Sequence, residues 1–296
     1  MASLIYPPHR FLYSQQVSAA LAEDLEHGDI TTDAIVPPEA FGSAIIVAKE
    51  AAITAGTFVA QEAFMQMDPD IRFKEIREEG SEVSSGDAVM GFYGKLAAIL
   101  QAERVALNFL QRLCGIATLT RDFVQELSGL PCRLVDTRKT TPGIRLLQKY
   151  AVRVGGGHNH RHGLSDGLLI KDNHIAVCGS VKESITRARA RAPHTLLLEI
   201  EVTEIEELEE AIEAGADAVL LDNMDPVTLK DAVSLARRLK PRIILEASGG
   251  IRLENVREIA ETGVDIVSVG LLTHSAKASD LSLSVLKGRR SEIRGS

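Results

Sequence analysis

Apolar positions change their rhythm near residue 130 of the chain. Before that point the pattern is mixed. A helical period over 14–26 stops at Gly28. Apolar-rich segments at 43–50, 71–77 and 87–93 predict strands, with Gly42, Gly80, Gly86 and Gly94 as punctuation. Residues 57–68 predict a helix between two of them. Over 96–128 Leu96, Ile99, Leu100, Leu107 and Leu110 recur at steps of three and four, which predicts a helix with a break at Gly115. The first part therefore reads as α+β.

Beyond 130 the pattern becomes regular. Apolar runs lie at 134–136, 167–171, 196–201, 218–222, 243–246 and 265–270, with starts 33, 29, 22, 25 and 22 residues apart. Helix-like stretches at 180–191, 204–214, 226–239 and 252–261 separate the later ones. Strand, helix, strand at this spacing means βαβ units and a parallel sheet. About six units can close, or nearly close, into a barrel. A doubly wound open sheet is the alternative. No low-complexity linker divides the halves, and the tail after about 275 is rich in Ser and Arg and is expected to fray at its end.

Composition narrows the classes. With 45% hydrophobic and 25% charged residues over 296 positions, the chain can bury a sizeable core and is not disordered. Aromatics at 4%, no Trp and a net charge of -8 argue against base stacking and general nucleic-acid binding. Cys114, Cys132 and Cys178 show no CxxC spacing and read as reduced thiols of a cytoplasmic protein. The opening MASLIYPPHRFLYSQQ lacks an apolar core, and no window holds 18 consecutive apolar residues, so neither a secretory signal nor a membrane span is expected.

In a β/α barrel the reactive groups sit at the C-terminal ends of strands. Those ends carry Asp136, Arg138 and Lys139; Lys171 and Asp172; Glu199 and Glu201; Asp222 and Asn223; Glu246, Ser248, Gly249 and Gly250; and Ser268 and Gly270. Residues 133–161 hold seven cationic side chains against one acid, a net +6 within a chain of -8 that leaves -14 on the remainder. Such a cluster points to a small polyanionic substrate. Arg145, Lys149 and Arg153, at steps of four, read instead as one solvated helical face, while Arg138, Lys139, Arg161 and Lys171 abut strand ends or turns. Glu201 and Asp222 on neighbouring strands suit Mg²⁺ or sugar hydroxyls, or merely neutralise Lys139 and Lys171. The acids at 204, 206, 207, 209, 210 and 213 read as a solvated helix face.

Ser248-Gly249-Gly250 follows a strand and precedes the 252–261 stretch, which predicts a phosphate-binding turn. Gly155-Gly156-Gly157 fits neither a dinucleotide fingerprint nor a Walker loop. His158, His160 and His162 alternate as zinc ligands would, yet no Cys or Glu joins them at ligand spacing, and His160 reads better as a hydrogen-bond donor to an anion. Glu103 interrupts the apolar stripe of its helix, with Arg104 at the margin, and position alone favours a structural pair.

Several blocks together resemble the quinolinate phosphoribosyltransferase family: EDLEHGDITTD at 23–33, ERVALNFLQRLCGIAT at 103–118, LEIEV at 198–202, LLDN at 220–223, EASGGI at 246–251 and, above all, the continuous stretch 136–175. The resemblance covers nearly the whole chain. It implies an N-terminal α+β sandwich domain over 1–115, an open, TIM-like β/α barrel of six to seven parallel strands over 116–274, and a tail, 275–296, that packs back on the first domain. It implies phosphoribosyl transfer from 5-phosphoribosyl 1-pyrophosphate to quinolinate, with loss of CO₂, in NAD biosynthesis. Arg138, Lys139, His160, Arg161 and Lys171 would surround the carboxylates and the pyrophosphate. Glu201 and Asp222 would face the ribose and Mg²⁺ and, with Lys139 and Lys171, carry the catalysis. Ser248, Gly249, Gly250 and Gly270 would cradle the 5-phosphate, with Thr137, Val269 and Leu271 completing the contacts. Arg104 would reach the partner's site in a homodimer with shared active sites, open to higher assembly. Strand-end logic alone also admits an unrelated phosphate-binding barrel enzyme; a relative acting on nicotinate and a non-catalytic sensor are further rivals.

Overall fold

A computed structural model describes residues 5–286. In chain order the elements are α1 Ser14–Asp24, α2 Ile30–Ile35, β1 Phe41–Ala48, β2 Ala52–Ile53, α3 Thr57–Met67, β3 Arg72–Ile76, β4 Glu82–Val83, β5 Ala88–Lys95, α4 Leu96–Glu126, β6 Arg133–Val135, α5 Arg145–Val154, β7 Leu168–Ile170, α6 Asp172–Cys178, α7 Val181–Arg191, β8 Leu198–Val202, α8 Ile205–Glu213, β9 Ala218–Asp222, α9 Pro226–Leu239, β10 Ile244–Ser248, α10 Val256–Ala260, β11 Ile266–Ser268, α11 Leu271–His274 and β12 Leu281–Leu286. The chain divides into two units. One takes residues up to Leu119, Thr141–Gly156 and the chain from Ala276 onward; the other takes Thr120–Thr140 and Gly157–Ser275.

In the first unit β12, β1, β5 and β3 form an antiparallel sheet in that order. Alternation along β1 buries Ala44, Ile46 and Ala48 on one face. Phe64 of α3 packs on Phe92 of β5 with ring centroids 4.4 Å apart. The Glu79 carboxylate accepts the backbone N–H groups of Gly56 and Thr57 at 2.7 and 2.8 Å, which caps the start of α3. The expected tail lies beside β1 as β12 as far as Leu286; its remainder lies outside the described residues.

Gly115 does not break α4, which runs unbroken through it. A Cβ there would lie 1.9 Å from the Lys277 carbonyl oxygen. The glycine lets a neighbouring backbone approach the helix, a packing demand that looks like a breaker in the sequence. Lys149, read as solvated, is buried within α5 in this unit, together with Leu147, Tyr150 and Ala151 on either side of it. No helix of the described residues is long and apolar enough to cross a membrane.

The second unit is built on one sheet of six parallel strands, ordered β6-β11-β10-β9-β8-β7. Consecutive strands β7 to β11 lie side by side and β6 follows β11. This is the cyclic order of a β/α barrel, open at the β6/β7 seam, and it sets aside the doubly wound alternative, whose order reverses at a switch point. One parallel bridge, Val135 to His158, adds the seam segment to the β6 edge. Along β8 the pleat sends Leu198, Ile200 and Val202 into packing and turns Glu199 and Glu201 the other way. The expected 252–261 helix shrinks to the short α10, and residues 253–255 form a turn instead; before it Gly249 and Gly250 both hold positive φ, +89° and +62°. Asn255 fixes the turn: its Oδ1 accepts the Arg252 N–H at 2.7 Å, and its Nδ2 donates to the Gly250 carbonyl at 3.2 Å.

Candidate active site

A cavity of about 410 Å³ opens at the C-terminal ends of the parallel strands. Its wall is built strand by strand. Beyond β6 come Thr137, Arg138 and Lys139; from the seam, His160 and Arg161; from β7, Lys171; from β8, Glu201; from β9, Asp222; from β10 and its turn, Ser248, Gly249 and Gly250. Eleven of the fifteen expected site residues thus meet in one place. Val269, Gly270 and Leu271 are not among the lining residues. The Val269 side chain is packed away and its N–H donates to the Val135 carbonyl at 2.9 Å. Gly270 nonetheless abuts the wall, since a Cβ there would meet Lys139 Cδ at 3.1 Å. Arg104 lies in the first unit, exposed on α4.

The cations are held in place. Asp136, fully buried at the end of β6, accepts the His160 backbone N–H at 2.9 Å and Asn159 Nδ2 at 2.6 Å, which turns His160 inward while His158 and His162 stay exposed. The Arg161 backbone N–H donates to His160 Nδ1 at 2.7 Å. That acceptor role places the imidazole proton on Nε2, which faces Glu199 Oε2 at 3.3 Å and Glu246 Oε1 at 3.7 Å. Arg161 donates from its guanidinium to the Gly167 carbonyl at 3.0 Å. Burial, and then the nearby positive charge of Arg138, lower its pKa. Two guanidinium groups at such close quarters are a receptor for an anion, which relieves their repulsion. The Lys139 carbonyl accepts from Thr273 Oγ1 at 2.8 Å, anchoring the loop that carries its ammonium. Lys171 Nζ is paired with the Glu201 carboxylate.

The basic run of the sequence therefore does not act as one cluster. Arg145, Lys149 and Arg153 belong to α5 in the first unit, while Arg138, Lys139, Arg161 and Lys171 line the cavity. Zinc held by the three histidines has no counterpart: among the described residues the group with ligating geometry is His160, Glu199 and Glu246. Leu169 and Leu220 also line the cavity, as do Asn223, Glu246 and Ser268, which the strand-end pattern placed there without a role. Period two carries the missing signal, since Glu246 lies two residues before Ser248 on β10. Glu246 is 2% exposed, and burial, then Glu199, push its carboxyl up to about 7.

Two family models match the chain: the N-terminal domain of quinolinate phosphoribosyl transferase over residues 29–114 and its C-terminal domain over 116–284. The chain is 44% identical over 263 residues to a probable nicotinate-nucleotide pyrophosphorylase (carboxylating) of Bacillus subtilis, covering 89% of this chain and 90% of that protein. It is 40% identical over 274 residues to the nicotinate-nucleotide pyrophosphorylase (carboxylating) of Mycobacterium leprae, covering 91% and 95%. Its fold is similar to the crystal structure of NadC from Streptococcus pyogenes, with a TM-score of 0.89, 41% identity and coverage of 95% and 99%.

Proposed function

The chain belongs to the quinolinate phosphoribosyltransferase family, and from that premise we propose that it transfers the phosphoribosyl group of 5-phosphoribosyl 1-pyrophosphate to quinolinate, releasing pyrophosphate and CO₂ and leaving nicotinate mononucleotide for NAD biosynthesis. The observation that carries the proposal is the cavity itself, with Arg138, Lys139, Arg161 and Lys171 converging on one opening beside Glu201 and Asp222. Quinolinate is a dianion and its co-substrate carries several negative charges. Fixed cations offset their mutual repulsion and hold them in line for attack.

The pyridine nitrogen attacks C1 of the ribose as the C1–O bond to pyrophosphate breaks. Lys139 and Lys171 stabilise the leaving charge. Glu201 and Asp222 face the ribose and steady its oxocarbenium-like character. The new N-ribosyl pyridinium then draws the electrons of the adjacent C2–carboxylate bond, and CO₂ departs. Gly249 and Gly250 offer backbone N–H groups to the 5-phosphate from a left-handed turn. Glu201 and Asp222 also form, with phosphate oxygens, the all-oxygen donor set that Mg²⁺ accepts, so the residues fit that ion. When bound there it supplies charge neutralisation for the leaving pyrophosphate. With Arg104 exposed in the first unit, the same reading makes the working protein a homodimer in which Arg104 completes the partner's site, and places it in the cytoplasm.

The purified protein with Mg²⁺ and phosphoribosyl pyrophosphate is expected to consume quinolinate, yielding nucleotide, pyrophosphate and CO₂ in equal amounts, and to leave nicotinate unused. Turnover of nicotinate without CO₂ would assign another pyridine acid as substrate. Mixed dimers of R104A and K139A chains are expected to regain activity that neither variant has alone, because one of the two sites is then intact. Verified mixed dimers with no regain contradict the shared site.

A further inference from the structure

Below the ring of cations the cavity floor holds a carboxyl that the steps above leave unused. Glu246 sits on β10 between β9 and β11, 2% exposed, and lines the cavity. Its Oε1 has no hydrogen-bond partner among the described residues. The charged and polar groups that face it are Glu199 from β8, His160 from the seam, Lys171 from β7 and Ser268 from β11. The nearest ligating atoms of His160, Glu199 and Glu246 lie within 4.8 Å of one another. A buried carboxylate so close to a second, half-buried one cannot stay ionised cheaply beside it, and the buried one keeps the proton. A metal ion is a poor occupant of the cluster, because it needs the Nε2 lone pair, and the Arg161 N–H on Nδ1 leaves Nε2 carrying hydrogen. The cluster is built to hold a proton.

The reaction needs one. When the C2–carboxylate bond breaks and CO₂ leaves, the electron pair stays on C2 of the pyridinium as an ylide, and C2 must gain a proton before nicotinate mononucleotide exists. We propose that Glu246 is the acid that gives C2 this proton. Resting on the functional reading above, the step balances: the Glu246 O–H bond breaks, a C2–H bond forms, the ylide pair becomes that bond, and the carboxylate left behind takes a proton from water before the next turnover. Glu199 keeps Glu246 protonated by opposing its charge, and the Nε2–H of His160 steadies the carboxylate once the proton has gone. The raised pKa of Glu246 keeps the acid loaded near neutrality.

The test is rapid-quench single turnover with Mg²⁺, phosphoribosyl pyrophosphate and quinolinate labelled in the 2-carboxyl, following pyrophosphate and CO₂ separately. In the wild type the two appear together. An ylide that is not protonated recaptures the CO₂ beside it, so in E246Q net CO₂ formation is expected to fall about a hundredfold more than pyrophosphate formation, with the dicarboxylated mononucleotide accumulating, and E246D is expected to recover part of the difference. If E246Q lowers both products by the same factor, or neither, Glu246 only shapes the pocket and the proposal is wrong. The wild type gives an independent reading should E246Q not fold: CO₂ is expected to lag pyrophosphate increasingly as pH rises through the ionisation of Glu246, and constant synchrony across that range also overturns the assignment. A wild type that forms neither product refutes the underlying reaction, an outcome distinct from these.

Discussion

K139A is expected to turn over quinolinate about 10²- to 10³-fold more slowly than the wild type, the loss typical of one preorganised partner for developing charge. The loop that carries Lys139 is fixed from two sides. Its carbonyl accepts from Thr273 Oγ1 at 2.8 Å, and Lys139 N–H donates to Thr137 Oγ1 at 3.1 Å. The aliphatic stem runs past Gly270, where a Cβ would lie 3.1 Å from Lys139 Cδ, tighter than ordinary contact. Alanine keeps these backbone contacts and removes only the ammonium, so stability is expected to change little while kcat falls. Steady-state kinetics checks this; near-wild-type kcat removes Lys139 from the chemistry.

G249A is expected to damage both binding and folding. Gly249 has φ +89°, and a Cβ there would lie 2.1 Å from Asn223 Oδ1, 2.5 Å from its Cγ and 3.0 Å from its backbone nitrogen. Asn223 cannot retreat easily. Among the described residues it is the one non-glycine with positive φ, at 55°; its N–H donates to the Ser248 carbonyl at 2.8 Å and its Nδ2 to Asp222 Oδ2 at 2.7 Å. The ends of β9 and β10 therefore interlock, and displacing one moves the Asp222 carboxylate. Left-handed strain of about 1–2 kcal/mol adds to overpacking of about 1–3 kcal/mol. Chemical denaturation is expected to show a loss of that order, and KM for phosphoribosyl pyrophosphate to rise at least about tenfold, one decade being about 1.4 kcal/mol. Unchanged stability and KM contradict the interlock.

The stability of the protein also carries the mark of Glu246. A carboxyl whose folded pKa is raised from 4.5 to about 7 keeps its proton in the folded chain after the unfolded chain has lost it. Its contribution thus falls as pH rises from 4.5 to about 7 and is level above that.

Much of the second unit could be read directly from the sequence, because most of its parallel strands are short apolar runs that carry a charged residue at or near their C-terminal end, and helices recur between the later ones. LLLEIEV and AVLLDN place Glu201 and Asp222 on adjacent strand ends without any three-dimensional knowledge. Features that depend on another part of the chain were hidden. Gly115 looks like a helix breaker until the backbone at Lys277 is laid against it. Lys149 falls on a charged stripe of a helix that other elements then bury. The six-residue α2 offers too short a period to detect; it forms where Asp29 Oδ1 accepts the Thr32 N–H at 2.9 Å. Glu246 is written in the strand pattern, but its proximity to Glu199 and His160 depends on how β8, β10 and the seam are arranged in space.

Crystals grown with Mg²⁺, quinolinate and an analogue of phosphoribosyl pyrophosphate that cannot lose pyrophosphate test the central claim most directly. Density for the pyridine diacid against Arg138 and Arg161, with the 5-phosphate at Gly249 and Gly250, is the predicted result. Both molecules lodged elsewhere, with the opening at the strand ends left to solvent, would contradict it.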